Sequence, residues 1–140
     1  MANETFYSEV LTDHNMHPVH KHEMSVCTCS REGINPSCGD DIVLNLNIEN
    51  GVIKDGSFTG SGCAISQASA DIMLDLVIGR TVDEAERLHE LFMKMIRGAC
   101  SEEEIDELEE AGALRDISHM PARVKCAVLG WRTMSEMISR

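Results

Sequence analysis

The sequence predicts an α+β protein in which a small antiparallel three-stranded sheet packs against several helices. Three observations carry that prediction. Apolar residues alternate over Ile42, Leu44, Leu46 and Ile48, an Asn50-Gly51 pair follows at once, and the chain beyond Gly62 repeats with helical spacing. Alternation marks a half-buried strand, Asn-Gly suits a two-residue hairpin turn, and apolar stripes every three to four residues mark helices. Strands grouped first and helices after them favour α+β over an alternating α/β order.

Each element has its own signal. Asn3 is placed to cap a first helix with Phe6, Tyr7, Val10 and Leu11 on one side. The stretch "HNMHPVHKHEM" reads as polar and irregular, and its cluster of His14, His17, His20 and His22 as an adventitious metal binder rather than a site. A short strand is expected around "MSVCTCS", Met24 to Ser30. The strand from Ile42 turns at Asn50-Gly51 and returns antiparallel through "VIKDGSFTG". After "GSGC", Ile65, Ala68, Ile72 and Leu76 form one helical stripe. Thr81 and Glu84 have capping-box spacing, with Leu88, Leu91, Phe92 and Met95 as the buried face and Gly98 as the stop. Ser101 and Glu104 repeat the box and open an acidic helix expected to end near Gly112. Pro121 suits the first position of the last helix.

Composition narrows the function. With 140 residues, 43% of them apolar, the chain suits one domain, 1–140, with a real core. A formal net charge of −12 speaks against a nucleic-acid partner, which needs clustered Lys and Arg. "MANETFYSEV" lacks the basic and apolar run of a signal peptide, and "DIMLDLVIG" is too short and too interrupted to cross a bilayer. The expectation is a cytoplasmic protein with no membrane partner. Six cysteines in a reduced chain with a core point to metal binding or thiol chemistry rather than disulfides.

The cysteines sort by position. Cys38 stands in the turn "NPSCGD" at the head of a strand. Cys63 stands where a glycine-rich loop becomes a helix, a place where the dipole and free amides favour the thiolate; its bland alternative is a thiol that simply packs inward. On a helical wheel Val124, Ala127, Val128, Trp131, Met134 and Ile138 share an arc, and Cys126 falls roughly 80° outside it. That predicts a peripheral sulfur beside Arg123 and Lys125, whose charge favours the thiolate. Cys38, Asp40, Cys63 and Cys126 then match a tetrahedral zinc site in number and type, and equally an iron–sulfur cluster with a replaceable carboxylate ligand. Intervals of 25 and 63 residues are unlike the compact pairs of zinc fingers. Cys27 and Cys29 read as an ordinary strand face, with extra ligands or a redox pair as the rival. Cys100 reads as a structural thiol packing on Ile105 ahead of the Ser101 cap.

Taken together, "NPSCGD", "GSGCAISQASADIM" and "MPARVKCAVLGW" resemble the IscU/NifU-like iron–sulfur cluster assembly proteins, and among them the SufU branch, from about Tyr7 to Met134. The resemblance implies that Cys38, Asp40, Cys63 and Cys126 hold zinc. It also implies that Cys126 accepts persulfide sulfur from a pyridoxal-phosphate-dependent cysteine desulfurase of SufS type, with Arg123 as the supporting cation. The protein would then be a sulfurtransferase-like carrier feeding a downstream cluster-assembly complex rather than a stand-alone enzyme. Two features favour SufU over IscU. The Cys63–Cys126 interval is longer than in IscU by a length that matches the acidic helix after Gly98. Lys125 replaces the histidine that IscU carries before its last cysteine, and the IscU docking motif L-P-P-V-K is not intact in "MPARVK". Cys27, Cys29 and "HPVHKH" depart from SufU. The runner-up is a scaffold assembling a transient [2Fe–2S] cluster on the same ligands, and a structural zinc protein comes third.

Overall fold

The computed structural model describes residues 2–138, with side chains from residue 9 onward. In chain order it contains α1 (Ala2–Met16), β1 (Cys29–Asn35), β2 (Asp40–Glu49), β3 (Val52–Ser61), α2 (Ala64–Val77), α3 (Val82–Ile96), α4 (Glu102–Glu107), a 3₁₀ helix (Glu109–His119) and α5 (Pro121–Ile138). The strands form one antiparallel sheet in the order β1-β2-β3. The α+β expectation holds.

Strand alternation decides which side of the sheet is covered. Ile42, Leu44 and Leu46 are fully buried, and Asp40 shares their parity at the start of β2. Side chains two residues apart point to one face, so the same geometry that buries the leucines carries Asp40 under the helices. The opposite face of β2, with Asp41, Val43, Asn45 and Asn47, is more open. Asn50 and Gly51 take positive φ of 53° and 74°, as a two-residue hairpin turn of this kind requires.

The helices pack by close backbone approach and by an aromatic stack. A Cβ on Gly130 of α5 would lie 3.4 Å from the Cα of Ala70 in α2, and Ser69 Oγ donates to the Ala127 carbonyl at 2.6 Å. Small residues at this crossing let the two helices that flank the site touch. Farther along, the Phe92 ring of α3 stacks on Trp131 of α5 with centroids 4.3 Å apart. Both capping boxes, Thr81 with Glu84 and Ser101 with Glu104, are formed with reciprocal hydrogen bonds.

Several expectations are corrected. The edge strand is Cys29–Asn35, not Met24–Ser30. Its core-facing residues are Gly33 and Asn35, so it shows no apolar alternation. Gly33 is there because a Cβ would lie 2.2 Å from Thr133 Oγ1 of α5. The acidic helix ends at Glu107, not near Gly112, because Glu109 takes a positive φ of 51° and the chain continues as the 3₁₀ helix. Gly112 packs back on Ile105, where a Cβ would come within 2.9 Å of a methyl group. The α1 backbone is already helical at Ala2, so Asn3 does not precede the helix. The side chains of Asn3, Phe6 and Tyr7 lie outside the described residues, while Val10 and Leu11 pack on the core.

The histidine-rich segment is built in rather than loose. His14 Nδ1 meets the buried Asp71 carboxylate of α2 at 2.6 Å and its Nε2 meets Glu110 at 2.9 Å. The His20 amide donates to the other Asp71 oxygen at 2.8 Å, and Phe58 N of β3 donates to the His20 carbonyl at 2.9 Å. Burial alone would lower the His14 pKa, but the bonds to Asp71 and Glu110 outweigh it and leave it raised.

Two outcomes are expected here. Gly33→Ala should cost about 1–3 kcal/mol in urea unfolding, the usual penalty for overpacking, because Thr133 is itself bonded to the Leu129 carbonyl and cannot step aside freely. His14 contributes stability that is complete below its unfolded pKa near 6.5 and is lost as pH rises through its raised folded value. The stability gap between wild type and His14→Gln should therefore narrow as the pH of the urea titration increases.

Candidate metal centre

The site forms where three chain segments meet. Asn35 ends β1 and is in register with Asp40, which opens β2. Between them Pro36, Ser37, Cys38 and Gly39 make the turn. Gly39 takes a positive φ of 70°, and Cys38 N donates to the Asn35 carbonyl at 3.3 Å. This places the Cys38 thiol on the exposed tip. Cys63 is the N-cap of α2: its sulfur accepts from Ser66 N at 3.5 Å. Cys126 lies in the second turn of α5.

Asp40 is the joint. Its Oδ1 accepts from Cys63 N at 2.8 Å and from Ser66 Oγ at 3.1 Å, and its Oδ2 accepts from Asn35 Nδ2 at 3.1 Å. Burial alone would raise its pKa, but the Cys63 amide, Asn35, Cys126 and Ser66 outweigh that and hold the carboxyl below its ordinary value. Gly62 makes the approach sterically possible. A Cβ there would lie 2.6 Å from Asp40 Oδ1 and 2.5 Å from Ser66 Oγ.

Cys126 requires a correction. The wheel predicted a peripheral sulfur, yet the residue is fully buried. The face of α5 outside the Trp131 arc turns toward the end of the sheet, and the thiol fills the space beside Asp40. Burial first, then the neighbouring Cys38, Cys63 and Asp40, push its pKa well up. Arg123 and Lys125 are exposed on the first turns of α5. The Cys126 thiol donates to Cys38 Sγ at 3.0 Å and accepts from Asn35 Nδ2 at 3.7 Å.

The donors suit a metal in kind and spacing. One ligand atom each from Cys38, Asp40 and Cys126 lies within 4.8 Å of the others. A four-coordinate ion with bonds of about 2.0–2.3 Å spans such a group with small side-chain rotations. Cys63 borders the cluster through its amide on Asp40 and its thiol near Cys126, but its sulfur lies outside the group formed by the other three predicted ligands. Zinc is favoured by thiolates with one carboxylate, and an iron–sulfur cluster takes the same soft set. Sequence reading missed Asn35, Gly62 and Ser66. The motif spacing held the signal: Asn35 ends a strand five residues before Asp40, and Ser66 is the third residue after the Cys63 cap.

Of the other predicted thiols, Cys29 begins β1 and packs partly against the core. Cys27 is half-buried just before that strand. Cys100 packs on the core and donates to the Leu91 carbonyl at 3.3 Å, which fits a structural thiol.

Against known proteins, residues 6–140 match the NifU-like N terminal domain. The chain belongs to that family. Among its NifU-like relatives, the "Iron-sulfur cluster assembly scaffold protein IscU" of Thermotoga maritima is 42% identical over 100% of this chain and 97% of its own length. The "Zinc-dependent sulfurtransferase SufU" of Bacillus subtilis is 32% identical over 98% and 92%. The crystal structure of FiSufU from Fervidobacterium islandicum AW-1 superposes with a TM-score of 0.89 at 32% identity, covering 97% of this chain and 98% of that one. The NifU-like fold thus includes both the three-stranded sheet and the helices around it. Within it, no helix of the described residues is long and apolar enough to cross a membrane.

Gly62→Ala tests the cradle. The added methyl should push Asp40 off its three donors and weaken zinc binding by about 10–100-fold, the range seen when outer-shell partners are lost. Chelator competition measures the affinity, and circular dichroism should show the secondary structure retained.

Proposed function

We propose that this chain works in iron–sulfur cluster assembly as a zinc-holding acceptor of persulfide sulfur from a cysteine desulfurase. The observation that supports it best is one cluster that joins a partly exposed thiol on a surface turn, a buried thiol and a multiply hydrogen-bonded carboxylate. Cys38, Asp40, Cys63 and Cys126 are the residues that would hold zinc. Bound zinc would keep the thiols deprotonated and ordered. The names of the relatives from Bacillus subtilis and Thermotoga maritima point to the same process.

The chain's own residues suggest how sulfur enters. A desulfurase of the pyridoxal-phosphate class presents a cysteine persulfide. A thiolate of this chain attacks its outer sulfur, a new S–S bond forms here, and the desulfurase cysteine leaves as thiolate. No electrons are gained or lost overall. The resemblance makes Cys126 the acceptor, but the residue is buried rather than peripheral, so a partner does not meet its sulfur first. Cys38, exposed at the turn with its sulfur 3.0 Å from Cys126, is the thiol a partner reaches first. Arg123 and Lys125, exposed on α5, give an otherwise acidic protein cations on the element that carries Cys126. The product would pass to a downstream cluster-assembly complex, in the cytoplasm.

The second reading is a scaffold that builds a transient [2Fe–2S] cluster on the same ligands. It is favoured by the 42% identity to a protein named as a scaffold. Metal analysis separates the two: a colourless zinc protein supports transfer, and a brown protein with stable visible absorption after reconstitution supports the scaffold.

Incubation with the cognate desulfurase and free cysteine, followed by alkylation and mass spectrometry, tests the acceptor. Wild type should gain one sulfur atom and Cys38→Ala should gain none, while keeping its fold because the turn is exposed. Full sulfur loading of Cys38→Ala would refute the assignment.

A further inference from the structure

Among the described residues, the Asn35 side chain donates to both the carboxylate and the innermost sulfur of the cluster. It is 5% exposed, and its Nδ2 lies 3.1 Å from Asp40 Oδ2 and 3.7 Å from Cys126 Sγ. An amide nitrogen carries two hydrogens, so one group can serve both acceptors at once. The backbone fixes the arrangement. Asn35 and Asp40 are cross-strand partners that close the β1–β2 hairpin, and partners of this kind hold their side chains on one face. Helix α5 supplies Cys126 from above, 91 positions away in sequence.

The two oxygens of Asp40 are not equivalent. Oδ1 is occupied by the Cys63 amide and the Ser66 hydroxyl, both fixed to the start of α2. Oδ2 accepts from the same Asn35 amide that reaches Cys126, and the Cys126 thiol is itself a hydrogen-bond partner of the carboxylate. Without Asn35, Oδ2 would be free to rotate away from Cys126, and a buried sulfur would lose a donor.

We propose that Asn35 is the positioning residue of the metal centre, setting Asp40 Oδ2 and Cys126 Sγ at their mutual spacing through two N–H bonds from one amide. The inference rests on the reading that this thiol–carboxylate cluster holds a metal. It adds what keeps two of the ligands aligned: a hydrogen-bond partner outside the ligand set. A sulfur that accepts an N–H bond gives less charge to its metal, so removal of the donor has a spectroscopic consequence as well as an energetic one.

Asn35→Leu, close in volume and without donors, is the test variant. Zinc affinity is read by chelator competition, and cobalt(II) substitution reads the sulfur-to-metal charge-transfer band. Asn35→Leu should bind zinc about 10–100-fold more weakly, with the cobalt band at longer wavelength than in wild type. Wild-type affinity together with an unmoved band would mean that Asn35 only fills space, and the proposal would fall. Should the variant fail to fold, wild type loaded with NMR-active cadmium decides. Coupling between the metal and the Asn35 side-chain amide hydrogens, carried through the Cys126 sulfur, supports the proposal, and its absence in an assigned spectrum overturns it. Failure of wild type to take up zinc, cobalt or cadmium refutes the metal-site reading itself. Uptake by wild type with no effect of Asn35→Leu refutes only the role of Asn35.

Discussion

A buried carboxylate is costly unless its lone pairs are satisfied, and Asp40 is fully buried. Everything local to the site follows from satisfying it. The hairpin must close with Asn35 opposite, α2 must begin with its Cys63 amide free and pointing inward, and Ser66 must stand one turn later. Gly62 must lack a side chain so that the helix start can come close enough. The sheet, the glycine loop and α2 are thus fastened at one point. Cys63 and Cys38 are carried into range as a consequence of where the backbone has to go.

That fastening divides the thiols by freedom. Cys63 is tied to a helix cap and Cys126 is enclosed between α5 and the sheet end, whereas Cys38 rides on a four-residue turn with Gly39 in the left-handed region. The rigid pair defines a place, and the exposed member communicates with solvent. Thiol chemistry with a partner protein needs both properties, because an ordered pocket without an accessible sulfur cannot exchange and an exposed sulfur alone is unselective. On the enclosed side, α2 and α5 approach closely at Ala70 and Gly130.

Much of this was legible in the sequence, and the misses have definite physical causes. Period-two apolar alternation located β2, and reciprocal caps located α3 and α4, because both signals are local. The edge strand β1 was misplaced because its inward positions are Gly33 and Asn35, one chosen for close approach to α5 and the other for the site, so no apolar rhythm remained. The motifs marked Cys38, Asp40 and Cys126, which the fold brings together, but the surroundings of Cys126 were misjudged. A helical wheel ranks faces by one apolar arc, and α5 has two buried sides, one against Trp131's neighbours and one against the sheet end. Asn35 and Ser66 were passed over because their importance lies in pairing with Asp40, and pairing across strands or between a strand and a helix is a tertiary fact. The 3₁₀ segment was invisible for a similar reason, since a positive φ at Glu109 is imposed by packing and not favoured by glutamate.

The residues between α1 and β1 have a further effect on the sheet. With strand order β1-β2-β3, one side of β3 has no strand neighbour among the described residues. An exposed strand edge is a template for pairing with another chain. The His20 carbonyl and the parallel bridge between Lys21 and Phe58 occupy part of that edge, and Asp71 anchors the same segment from behind through the His20 amide. The histidine-rich connection therefore serves as an edge guard. On this flank the chain is protected from indiscriminate strand addition by its own copies.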